Sequence, residues 1–376
     1  MASLSESEPL GPLSTVQRQK DPLMRWFVAC ILIVATFAKA FAQDPSITVT
    51  RGGRSRTMSL QGKSPEQNYY ALERAIEHFA QSGDAIHIVG TFVGGPFDIL
   101  DLENLAGGAL TGAGPEKSRI IAKAQHDRIG PEENPQKRGG PAISLPNNGE
   151  IRLAGLYLEN SPSNIYEDGA LAGWPGDKTG YATVTIEDCE VKSHDWGLIY
   201  DWSLRSNRNV TLRRVKGVAA RSFVNLMHAG SHYTLLMEDC DIGVDGNLSV
   251  SYGATSDMDP VTGGVLTPII LRAGTAQAKN CTFWVRGMKR PEGHTLKWVP
   301  TRIATIATDQ FYSQAARTTR FHAENCRVKF VEPVDEKVIY DLDFRFGQAT
   351  VDDPARSGSG PNGELRMTAA GPPPAG

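Results

Sequence analysis

The chain has 376 residues, 40% hydrophobic and 22% charged, with a formal net charge of −3. That is enough apolar material for one large all-β domain or two ordinary ones, and too much for a broadly disordered chain. A near-neutral balance with no long basic run argues against nucleic acid as the main partner, and 38 glycines with 23 prolines suit many short strands joined by turns.

The first predicted element is an address. Met24-Arg25-Trp26 supplies a basic start, Phe27 to Ala38 an apolar run, and Ala40-Phe41-Ala42 a small-x-small exit before Gln43. This is the pattern of a secretory signal peptide. The run is too short for a membrane-spanning helix, which needs about 20 apolar residues; an uncleaved anchor is the competing reading. Residues 1–23 are polar and sit in front of that signal, so Met24 is read as the start, with a long n-region as the alternative. Residues 1–42 are thus expected to be an N-terminal extension and signal peptide. The mature protein is expected to be secreted, periplasmic or extracellular, with no stable membrane insertion.

Residues 43–83 are read as a lead-in segment, basic at Arg51, Arg54 and Arg56, followed by a helix. Ser64-Pro65-Glu66-Gln67 offers an N-cap hydroxyl, a proline at the first helical position and a capping-box partner. Leu72, Ala75, Ile76 and Phe79 follow at helical spacing and Gly83 closes the element. Asp84 to Phe92 reads as a strand. Beyond it come short strands between turn signals, at Ala142–Leu145, Ile151–Leu158, Gly197–Tyr200, Phe223–Leu226, Pro268–Leu271 and Arg302–Ile306. The tail, residues 347–376, is rich in glycine and proline and is expected to be disordered.

Within residues 84–346 one short phrase recurs, at Thr183–Val191, Leu235–Ile242, Gln277–Phe283 and Phe321–Val328: an alternating strand, an acid or amide, a cysteine, and another apolar residue. A degenerate copy, Val210–Gly217, puts Val215 where the others have cysteine. Cys189, Val215 and Cys240 lie 26 and then 25 residues apart, so the chain repeats one structural unit. Two or three short strands per unit, pairing with the next unit at about 4.8 Å, predict stacked turns of a narrow coil with Cys189, Val215 and Cys240 in one interior column. A sandwich would show hairpin turns and no fixed interval.

These residues carry a resemblance. Ser82-Gly83-Asp84 after a helix, then a strand with Gly90-Thr91-Phe92, then units such as Val184-Thr185-Ile186-Glu187-Asp188-Cys189-Glu190-Val191, resemble a right-handed parallel β-helix of the pectin-lyase-like superfamily. The resemblance implies an all-β solenoid whose opening helix caps the coil stack. It says little about chemistry, since one fold hosts many functions.

Cys189 and Cys240, two units apart, should be roughly 9–10 Å from each other, beyond the reach of about 7 Å for disulfide Cα atoms. With valine at the intervening position, a buried stack of free thiols is expected; Cys240 and Cys281 are the pair to check for a bridge. No Cys-x-x-Cys spacing occurs, and zinc is not expected. Calcium is left open through Asp257 and Asp259, which lack a dedicated multi-oxygen loop. Three excursions interrupt the rhythm, at Ser161–Gly180, Gly243–Gly264 and Arg286–Pro300. They carry Trp174 and Tyr252, aromatics suited to sugar rings, against the plainer reading that they cover the sheet.

The densest polar cluster supplies the remaining candidates. Asp195, Asp201, Arg221 and His228 are the candidate catalytic set, with Asp195 expected near Arg221 and Asp201 near His228; His194 and Arg205 join Trp174 and Tyr252 as candidate substrate-binding residues. Elimination on a uronate needs a base and a cation that neutralises the carboxylate, while a hydrolase needs two carboxylates flanking the bond, as Asp195 and Asp201 could. Solvated turns and surface ion pairs account for the same residues. The signature series of polygalacturonase-like hydrolases and of pectate lyases are absent as such, so no catalytic residue is transferred. The expected partner is an acidic polysaccharide, cleaved or bound; the alternative is a non-catalytic surface or glycan-binding structural protein.

Overall fold

The structure is a computed structural model. It describes residues 44–95, 98–123, 141–161, 170–174, 179–194, 196–201, 206–220, 222–226, 231–248, 267–271, 274–286, 302–307, 319–330, 341–345, 347–352, 358–359 and 366–369. The expected signal segment, residues 1–42, lies outside them. Asp44–Gly376 forms one compact unit.

The described residues are mostly β, with one short α-helix, and their strands fall into two sheets of 19 and 9. Each unit contributes one strand to each of three parallel ladders. The first ladder contains Gly180–Glu187, Ser206–Arg213, His232–Glu238 and Gly274–Lys279. The second contains Glu190–Ser193, Lys216–Ala219, Asp241–Asp245 and Thr282–Arg286. The third, which is the smaller sheet, contains Ala170–Trp174, Trp196–Asp201, Val224–Leu226 and Ile269–Leu271. One strand of each makes a layer, and like positions of successive layers stand in register. Val184, Val210, Leu235 and Ala276, for example, are consecutive partners, all buried.

Strand parity explains the core. Alternate side chains leave opposite faces, and the inward set from all three ladders makes one buried apolar cluster. Each large member contributes roughly 1.5–3 kcal/mol by leaving water.

The recurring phrase is the corner between the first and second ladders. Gly155, Asp188, Arg214, Asp239, Asn280 and Asn325 all have φ between 51° and 64°, a left-handed conformation that glycine, asparagine and aspartate tolerate best. That is why an acid or amide precedes each cysteine. Their amides donate to the next layer, as in Asp188 N to Arg213 O at 3.0 Å and Asp239 N to Lys279 O at 3.0 Å. Their side chains link on the outside: Asn280 Nδ2 donates to Asp239 Oδ1 at 3.1 Å and Asn325 Nδ2 to Asn280 Oδ1 at 2.8 Å. Arg214 is the exception in residue type, and its guanidinium holds both carboxylate oxygens of Asp188 at 2.6 and 2.8 Å.

One residue on, Cys189, Val215 and Cys240 occupy equivalent buried positions, as expected; Lys216 N donates to Cys189 O and Asp241 N to Val215 O. Cys189, Cys240, Cys281 and Cys326 are free thiols. Burial pushes Cys189 up to about 12. The continuous strand expected at Ile151–Leu158 is instead two, Gly149–Ala154 and Tyr157–Ser161. Gly155 makes this same corner, with Leu156 standing where cysteine recurs.

The start of the chain differs from expectation. The lead-in is a β-hairpin, Ser46–Arg51 antiparallel to Arg54–Ser59. Gly52 and Gly53 make its two-residue turn with φ of 54° and 77°, the conformation that matches strand twist. Ser46–Arg51 also pairs antiparallel with Ala85–Val93, which opens the ladders. The helix spans Pro65–Arg74 with the expected capping box: Gln67 N donates to Ser64 Oγ at 3.3 Å and Ser64 N to Gln67 Oε1 at 3.0 Å. It continues as a single π-helical turn, Ala75–Phe79, where Ala80 N reaches back to Ala75 O. That wider turn carries Phe79 off the apolar stripe, and it is 65% exposed, while Leu72 and Ile76 are buried. Asp84 locks hairpin to helix end. It accepts Arg51 Nη2 at 2.7 Å and Gln81 N at 2.8 Å.

At the other end, the ladders run past residue 346. Gly347–Asp352, Gly358–Ser359 and Arg366–Ala369 add one more strand to each, inside the segment expected to be disordered. Alternation in Gln348-Ala349-Thr350-Val351 is a strand pattern that the surrounding glycine and proline obscure.

Candidate functional site

The outer face of the second ladder gathers the chemistry. Val191 and Ser193 turn inward, so Glu190 and Lys192 turn out; in the preceding layer Tyr157 and Glu159 stand in register with them. The Glu159 carboxylate is the hub. Tyr157 donates its hydroxyl to Oε2 at 2.8 Å. His194 Nε2 lies 3.0 Å and Lys192 Nζ 3.3 Å from Oε1. An ionised carboxylate only accepts, so His194 donates through Nε2; its Nδ1 faces the Leu248 carbonyl at 3.4 Å. The His194 backbone is pinned by its N–H to Asn160 Oδ1 at 2.5 Å. Arg119 lies over the Tyr157 ring, 4.4 Å from its centroid.

Electrostatics follow from this packing. Burial pushes the Tyr157 hydroxyl up, the neighbouring Glu159 charge adds to it, and it reaches about 12. Burial works against the Glu159 charge, yet hydrogen bonds from His194 and Tyr157 and the Lys192 ammonium outweigh it, and the carboxyl lies below its ordinary value. The Glu159 and His194 side chains are 17% and 10% exposed, whereas Lys192 at 38% reaches solvent. An imidazole oriented by a carboxylate, with a cation and a phenol alongside, has the parts of a proton-transfer site.

Of the sequence candidates, His194 is in this network. Asp201 is elsewhere: it shares the inward face of Trp196–Asp201 with Ile199, its partner on the next layer is Leu226, and it is fully buried. Inside the stack it forms an ion pair with Arg208 Nε at 3.6 Å and accepts from Ser206 Oγ at 3.2 Å. Burial pulls the Arg208 guanidinium below its ordinary value and Asp201 opposes that shift. Trp174 also belongs to the interior. A strand, Ala170–Trp174, interrupts the expected excursion; the indole is 1% exposed, donates Nε1 to Pro146 O at 2.7 Å, and lies under Arg208 at 4.6 Å. Arg208 Nη1 completes this polar spine by donating to Asn147 O at 2.6 Å. Asp195, Arg205, Arg221, His228 and Tyr252 lie outside the described residues, as do Asp257 and Asp259. Among the described residues no group of three or more His, Cys, Asp or Glu could hold a metal ion.

Tyr157, Glu159 and Lys192 were not singled out from sequence. Their register offset is 33 residues, because the unit between them holds an extra length of chain; counting at 25 or 26 passes them by. A second feature lies on the outer face of the third ladder. Trp196 and Tyr200, with ring centroids 6.1 Å apart, cluster with Ala170 and Ile270. Between Tyr200 and Ile270 in the register stands Asn225, fully buried, with neither amide atom hydrogen-bonded. A buried amide left unpaired is costly, on the order of 1–3 kcal/mol.

No protein-family model matches the chain, and no curated protein or solved structure matches it significantly.

Proposed function

We propose that this chain is a secreted right-handed parallel β-helix protein of pectin-lyase-like type, capped at its start by the Pro65–Arg74 helix, that acts on an acidic polysaccharide. The observation that carries the reading is the Tyr157–Glu159–His194–Lys192 network on the outside of the second ladder. Elimination at a uronate requires a base for the proton beside the carboxylate and a cation for the carboxylate itself. In this reading Glu159 holds the Nε2 proton of His194 and Nδ1 is the base, a role that requires the Leu248 carbonyl, 3.4 Å away, to give way to the substrate; Lys192 is the cation, and the phenol of Tyr157 stays protonated and holds Glu159 in place.

A non-catalytic, glycan-binding role is the second reading. The withdrawal of Asp201 into the core favours it, since a hydrolase needs two opposed carboxylates. The test is a screen of the mature protein against acidic polysaccharides, reading the absorbance of unsaturated uronate products and the release of reducing ends. The elimination reading expects absorbing products that fall at least about 100-fold in His194→Ala, the usual share of a general base. Silence in both assays with glycan binding retained leaves the binding protein; silence with no binding overturns both.

A further inference from the structure

Further along the same outer face stands an indole that the core does not claim. Trp284, in Thr282–Arg286, faces outward and is only partly buried, whereas Trp174 and Trp196 are 1% and 5% exposed. Its register partner on the preceding layer is Gly243. A Cβ at Gly243 would fall 2.1 Å from the indole Cδ2 and 2.2 Å from Cε2. The ring therefore lies across the neighbouring strand, in a space that exists because position 243 has no side chain. Gly243 is not among the glycines with positive φ, so close approach and not backbone conformation accounts for it.

One layer further, Val218 stands in register with Gly243, and Lys192 with Val218. Lys216 shares the outer face of that strand with Val218; it is exposed and makes no ion pair among the described residues. Its register neighbours are two acids, Glu190 and Asp241. An indole and a valine beside one uncommitted ammonium, itself flanked by two acceptors, is a selective combination. Two acids beside the ammonium disfavour a doubly charged phosphate more strongly than a singly charged carboxylate, and an apolar ligand would leave all three charges without a use. A sugar acid has an apolar ring face, hydroxyl donors and one carboxylate.

We infer that Trp284, Val218 and Lys216 form a stacking subsite for one uronate residue of an acidic glycan. The ring lies on the indole and Val218, the carboxylate meets Lys216, and hydroxyls donate to Glu190 and Asp241. This rests on the glycan reading above and places its substrate class beside the Glu159 network, on the side toward Val218.

The experiment titrates the mature protein with oligogalacturonate, oligomannuronate, chondroitin fragments and a neutral cello-oligosaccharide, by calorimetry and tryptophan fluorescence. At least one uronate oligomer binds. Trp284→Ala and Lys216→Met each weaken that binding roughly tenfold, and Trp284→Phe recovers most of the loss. Gly243→Ala, which lifts the indole, weakens it as well. Lys216→Met changes an exposed residue, so it tests the subsite even if Trp284→Ala does not fold. Uronate binding unchanged in both Trp284→Ala and Lys216→Met overturns the subsite and leaves the glycan reading standing. If no uronate oligomer binds the unmodified protein, the glycan reading falls and the subsite falls with it.

Discussion

Asp201 and Arg208 meet where neither charge touches water. Desolvating two ions is costly, and their attraction in the interior repays it only while both are present. Asp201→Ala should therefore lower unfolding stability by about 3–5 kcal/mol in denaturant titration, leaving Arg208 charged and unpaired. Replacing both, as Asp201→Leu with Arg208→Met, should recover most of that loss. A carboxylate serving chemistry on the surface would behave in the opposite way, losing activity at unchanged stability. Residue type alone could not separate these cases, because His194, Asp195, Asp201 and Arg205 look equally polar in the sequence. What separates His194 from Asp201 is that Asp201 occupies the inward face of its strand, whereas His194 stands one residue past the end of Glu190–Ser193, beside the outward Glu159.

Among the elements, the corner between the first two ladders is the most regular. The left-handed residue there costs a β-branched side chain roughly 1–2 kcal/mol, to which a lost amide link adds. Asn280→Val should thus destabilise by about 2 kcal/mol, while Asn280→Gly, which meets the φ of 55° without strain, should cost well under that; equal melting temperatures for the two would refute the turn argument. The junction of hairpin and helix makes a pH prediction. Hydrogen bonds from Arg51 hold the Asp84 carboxyl below its ordinary value, with burial opposing and Gln81 N–H assisting. Between the folded value and the unfolded one, about 3.9, the unfolded chain binds the extra proton. Stability from this group is thus fully present above about pH 5 and is lost as pH falls through the folded value. Melting curves from pH 2 to 6 should show that slope, and Arg51→Ala should flatten it. The capping box was legible because its contacts span three residues. The hairpin's Gly52-Gly53 turn was equally local, but three arginines around it read as a basic lead-in. The π-helical turn that exposes Phe79 has no signature in residue order.

At the scale of the whole molecule, register ties every layer to the next. Cys240, Cys281 and Cys326 belong to consecutive layers, and Val215 fills the same position between Cys189 and Cys240. In the native protein these four thiols should resist an aromatic disulfide reagent and react together once the chain unfolds. Cys240→Val, a near volume match already present at Val215, should shift stability by less than about 1.5 kcal/mol. Rapid labelling of the native protein would place the column outside the core.

The sequence by itself determined the repeat, the alternation that sorts core from surface, the left-handed corner residues and the capped helix. Each is a property of neighbours along the chain, where backbone sterics and a period of two act over a few residues. Only the tertiary structure decided which unit meets which. Tyr157 and Glu159 reach Lys192 and His194 across a unit of unequal length, and Asp201 turns inward because of the phase in which its strand joins the third ladder. Those outcomes depend on where the chain re-enters the sheet after each excursion, and that is settled by pairing between layers, with no counterpart in local residue order.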